Sequence, residues 1–88
     1  MLISDAQAAY HRVVNLNAID GDALLLRDAA RQKGMPAEIV TLGNAVATLL
    51  LAYRAYNHAH SPENAHAYEV AIVAVQALVN APEDAVMA

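Results

Sequence analysis

The sequence predicts an all-α fold: a small antiparallel helical bundle with two shorter N-terminal helices and a long C-terminal helical hairpin. Three observations predict it. Alanine, the best helix former, occurs 21 times in 88 residues, while Phe and Trp are absent. Along the second half of the chain, apolar residues recur at alternating steps of three and four. The prolines and two of the three glycines stand where a helix would start or stop.

The first helix is predicted over about 5–18. Ser4 followed by Gln7 has the spacing of a capping box, and Ala6, Ala9, Tyr10, Val13, Val14 and Leu16 give the apolar side. Asp20-Gly21-Asp22 breaks the run, and either aspartate suits the cap of a second helix over about 23–33. Lys33 fits the negative end of that helix, and Gly34 fits the left-handed residue that stops it.

Pro36 is expected at the first position of a third helix over about 36–60, with Glu38 in its first turn. Ile39, Leu42, Val46, Leu49, Tyr53, Tyr56 and His60 form a heptad seam, the spacing that lets one helix lie along another. Gly43 and Ala47 stand beside the seam, where small side chains permit a close approach. Ser61 and Pro62 then cap and open a fourth helix over about 62–80, whose Tyr68, Ile72, Val75 and Val79 repeat the seam. So short a joint folds the two long helices back on each other. Residues 81–88, with Pro82 and an acidic end, are expected to fray.

Residues 1–88 make a single domain, and a chain of this size hides only about 60% of its unfolded surface. With no cysteine, neither a disulfide nor a thiolate metal site can add to its core. The start, Met1 to Asp5, lacks the basic region and apolar stretch of a secretion signal, and the expected location is the cytoplasm. The apolar stretches Ala45 to Tyr53 and Val70 to Val79 fall short of the roughly 20 residues that cross a bilayer, so no membrane partner is expected.

The formal charge is −4, and beyond Arg54 there is no Lys or Arg. Nucleic-acid backbones are held by clustered cations, so no nucleic-acid partner is expected. Catalysis finds no support either. There is no cysteine nucleophile and no glycine-rich phosphate loop, and both serines read as helix caps. His58, His60, His66, Glu63 and Glu69 flank the hairpin turn. Residues two apart on a helix, such as His58 and His60, point about 200° apart, so they read as polar residues around a turn. Asp20-x-Asp22 lacks the remaining ligands of a calcium loop. No metal and no cofactor are expected.

Helix four carries the most consequential pattern. Its polar stripe, His66, Glu69, Gln76 and Asn80, is narrow, and Val70 to Val75 is an unbroken apolar run. A helix apolar on nearly every side has to be covered on most of them. The expected function is a non-enzymatic helical interaction module of the accessory-regulator type. It self-associates, most simply as a twofold dimer, and binds or inhibits a protein partner. Leu50, Leu51, Tyr53, Tyr56, Val70 and Val73 are the candidate interface residues. The alternative is a small, nucleotide-like anionic ligand bracketed by Tyr10, Arg27 and Arg31.

Overall fold

In the computed structural model the backbone is described for residues 1–87 and the side chains for residues 1–79. Among the described residues there are four helices and no strand: α1 (Ile3–Val14), α2 (Asp22–Ala29), α3 (Ala37–His58) and α4 (Pro62–Met87). The chain is therefore an all-α bundle with a C-terminal hairpin, and α3 is its spine. It packs against both α4 and α2, while α1 touches all three of the other helices. α4 stays helical through Met87, past the predicted end at 80, so of the segment 81–88 expected to fray only residue 88 lies outside the described backbone.

The helix ends depart from the predicted ones in ways that local hydrogen bonds explain. α1 begins earlier, at Ile3, because the Leu2 carbonyl accepts from the N–H groups of Asp5 (3.1 Å) and Ala6 (3.3 Å). Ser4 therefore lies inside the helix, and no side chain caps it. α1 also stops at Val14, four residues short of the predicted end. Asn17 N–H reaches back to the Arg12 carbonyl at 2.7 Å and Leu16 N–H to the Val13 carbonyl at 3.1 Å. This is the paired closure that usually places glycine in the left-handed position, here taken by Leu16 with φ 60°.

α2 is shorter than predicted, because the N–H groups of Arg31 and Gln32 bond three residues back to Asp28 and Ala29 and tighten the chain into turns. Gly34, at φ 82°, supplies the expected left-handed residue after them. Neither Asp20 nor Asp22 caps α2. Gly21 holds that position with no side-chain bond. Pro36 precedes α3 as its cap residue, one position earlier than predicted, and its carbonyl accepts from Ile39 and Val40.

The hairpin turn is closed from both directions. Ser61 Oγ accepts the Asn64 N–H at 3.1 Å, as a helix cap should. Asn64 then donates its side-chain amide to the carbonyls of Ala59 (2.9 Å), the residue just after α3, and Ala55 (3.3 Å) in its last turn. One residue thus belongs to the start of α4 and satisfies the end of α3. Above the turn, Tyr68 stacks on Tyr56 (centroids 5.8 Å) and meets Tyr53 at 5.6 Å.

The core is assembled from small and branched residues. Ala6 and Ala9 of α1, Leu26 and Ala29 of α2, Ile39, Leu42 and Val46 of α3, and Val79 of α4 form one buried cluster. The buried alanines let α1 and α2 approach closely. The predicted seam holds at Ile39, Leu42 and Val46 and thins toward the hairpin end, where Tyr53 is exposed. By length and composition α3 could cross a membrane, with a mean hydropathy of 1.3 over its most apolar stretch. Sequence reading missed this because it ended the apolar run at Arg54. Within the fold the same helix supplies three of the core residues.

Candidate functional site

Two surfaces and one part-buried ion pair carry the chemistry of the described residues. The ion pair joins α1 to α2. Arg12 presents its fork to Asp22, with Nη2 to Oδ1 at 2.7 Å and Nε to Oδ2 at 2.9 Å, and Ile19 N–H donates to the same Oδ2 at 3.0 Å. Asp22 is 3% exposed. Hydrogen bonds from Arg12 and the Ile19 N–H, and the Arg12 charge, pull its carboxyl down to about 2, against the opposing effect of burial. The Arg12 guanidinium is held above its ordinary value by the same contact. The pair fixes the end of α1 against the start of α2, and it commits Arg12 to a structural role.

The first surface is the outward face of α4. Position 70 lies half a turn away from the seam residues Tyr68 and Ile72, so Val70 points directly away from α3. Val70 is 54% exposed and Val73 62%. Ala67, Ala74 and Ala77 are exposed with them, and Ala67, Val70, Ala74 and Ala77 repeat the three-four spacing of a helix seam. Of the apolar run Val70 to Val75, the chain's own fold buries Ala71 and half-covers Ile72 and Val75. At the hairpin end, His66 and Glu69 flank Val70 and Val73 around a shallow depression of about 260 Å³.

The second surface is a cleft of about 270 Å³ between α2 and α3, lined by Leu24, Arg27, Leu50, Tyr53, Arg54 and Asn57. Two of the chain's five cations line it. Arg27 also touches Asp28, with Nε at 3.2 Å and Nη2 at 3.1 Å from Oδ1. Among the described residues Arg54 has no carboxylate partner.

The sequence-derived interface residues are thus divided among several places. Val70 and Val73 share the α4 face. Leu50 and Tyr53 line the α2/α3 cleft. Leu51, exposed, lies about 200° around α3 from Leu49 and so faces away from α4. Tyr56 is half-buried between Tyr68 and His60. The ligand residues are divided as well. Tyr10 packs against the core, Arg31 is exposed, and Arg27 shares its cleft with Arg54 instead. Among the described residues no three His, Asp or Glu side chains gather to hold a metal ion.

Sequence reasoning missed the Arg12–Asp22 fork and the meeting of Arg27 with Arg54. Both are contacts between helices, and no motif announces them. Comparison with protein-family models, with curated proteins and with solved structures finds no match to this chain.

Proposed function

We propose that this chain is a non-enzymatic helical interaction module that self-associates through the outward face of α4. The observation that carries the reading is the exposed seam Ala67, Val70, Ala74 and Ala77, with Val73 beside it. One seam of α4 is spent on α3, and a helix with a second apolar seam is built to lie along a second helix. Small residues at three of the four positions permit close backbone approach.

The molecule measures 39 × 35 × 22 Å and is flat, about two helices thick. The seam from Ala67 to Ala77 is only about 15 Å long, so the dimer belongs to the weak, concentration-dependent class.

A helix of another protein would pack on this seam by the same contacts. Partner capture and self-association therefore compete for one face, which is how a small regulator can be released on meeting its target. In this reading α3 is a core helix, and the module works in the cytoplasm.

Light scattering across a dilution series tests the proposal. The wild-type mass should fall toward 9.3 kDa on dilution. The double variant Val70→Glu/Val73→Glu should remain monomeric throughout with unchanged helical content. Leu51→Glu, on the opposite side of the hairpin, should behave as wild type. A wild-type chain that is monomeric at every concentration would remove the reading.

A further inference from the structure

We propose that the α2/α3 cleft binds a small molecule that carries a phosphate or carboxylate on a single-ring apolar body. The site is independent of the α4 seam. Its lining joins apolar surface from Leu24, Leu50 and the ring of Tyr53 to the polar side chains of Arg27, Arg54 and Asn57. An anion bridging the two guanidiniums would receive their forked N–H groups, which match phosphate and carboxylate oxygens. The apolar body would lie on the leucines.

Charge decides that the occupant is an anion. A guanidinium is a fixed cation with donors only, so it calls for an acceptor of negative charge. The carboxylate partner of Arg27, Asp28, is exposed and holds it from the adjacent position in the chain. Such surface pairs are weak and give way to a better-placed acceptor. The negative end of α3 is also near, since Asn57 lies in its last turn, but that dipole end amounts to only about half a charge. The Ala55 carbonyl at that end is already taken by the Asn64 amide. Arg54, with no carboxylate partner among the described residues, and the weakly paired Arg27 therefore give the cleft a positive lining.

Size decides the class. A volume of about 270 Å³ lies at the small end of ligand sites, which run from about 300 to 1,000 Å³. One ring with its anionic group matches that volume. Sequence reading grouped Arg27 with Tyr10 and Arg31; the fold places it instead with Arg54, from a different helix.

Amide NMR titration of the full chain at constant ionic strength tests the site, with phenyl phosphate, benzoate and inorganic phosphate as probes. Shifts from phenyl phosphate or benzoate should concentrate around the cleft on α2 and α3, and comparing the two tells which anion is preferred. Inorganic phosphate should bind at least about tenfold more weakly, because it gains nothing from the apolar lining. Arg54→Gln should weaken the aryl ligand by about tenfold or more, as removal of a charged hydrogen-bonding group does. Arg27→Lys, which keeps the charge and loses the fork, should fall between, and Arg31→Gln should match wild type. Equal affinity for phenyl phosphate and inorganic phosphate would overturn the proposal. So would an Arg54→Gln chain that binds like wild type, or shifts that follow Arg31 and Lys33 instead of the cleft.

Discussion

Gly43 lies directly against the backbone carbonyl of Leu26, so that α2 and α3 meet with no side chain between them. A Cβ at position 43 would overlap that oxygen and stand 2.7 Å from the Ala30 Cβ. The contact sets the separation of the two helices, and with it the width of the cleft that Arg27 and Arg54 share.

Gly43→Ala opposes two effects. Alanine favours the helix by up to about 1 kcal/mol over glycine. The added methyl meets a backbone oxygen that cannot swing aside, and overpacking costs about 1 to 3 kcal/mol. Packing should win. The expected result is a net loss of about 1 to 2 kcal/mol by urea denaturation. A stabilised Gly43→Ala would mean that α2 does not seat on α3 at this point.

The Arg12–Asp22 pair makes stability depend on acid. Asp22 titrates at about 2 in the folded chain, whereas an unfolded aspartate titrates at about 3.9. The unfolded chain therefore takes up its proton first. The contribution of the pair is complete above about pH 4 and is lost as pH falls toward 2. Asp22→Asn lacks it at every pH. The gap in urea midpoint between wild type and Asp22→Asn should be widest near neutrality and shrink in acid. A gap that stays constant down to pH 2 would rule out the carboxylate as its source.

Leu16 pays for the turn after α1. It sits at φ 60°, where a branched side chain costs about 1 to 2 kcal/mol, and with 77% exposure it recovers little by packing. Leu16→Gly should therefore stabilise the fold by about 1 kcal/mol and raise Tm by about 4 to 8 °C in a chain of this size. Leu16→Asn should move Tm in the same direction. Leu16 also rims an apolar groove of about 510 Å³ with Val13, Val75 and Val79. If calorimetry finds Leu16→Gly destabilised, the side chain is contributing packing there that outweighs its strain.

The sequence by itself determined what depends on near neighbours along the chain. Steps of three and four placed the long helices and their shared seam, because a helix brings residues i, i+3 and i+4 to one side. Ser61 and Pro62 marked the start of α4, because capping is settled within three residues, and Asn64 N–H on Ser61 Oγ is that local bond. Gly34 marked a left-handed turn for the same reason. Where local signals competed, the reading failed. Ser4 had the cap spacing, yet the Leu2 carbonyl started α1 sooner. Leu16 took a conformation that its side chain disfavours, because closing the last turn of α1 required it.

Only the tertiary structure decided which helices touch and where. Asp22 read as a cap, and its carboxylate instead turned back to Arg12, ten residues earlier. Arg27 and Arg54 came to one cleft because Gly43 lets two helices cross closely there, and Leu51 parted from Val70 because they lie on opposite sides of the hairpin. Periodicity states which residues share a face of one helix. The pairing of faces between helices is fixed by crossing angle and approach distance, which depend on side-chain volumes far apart in the chain.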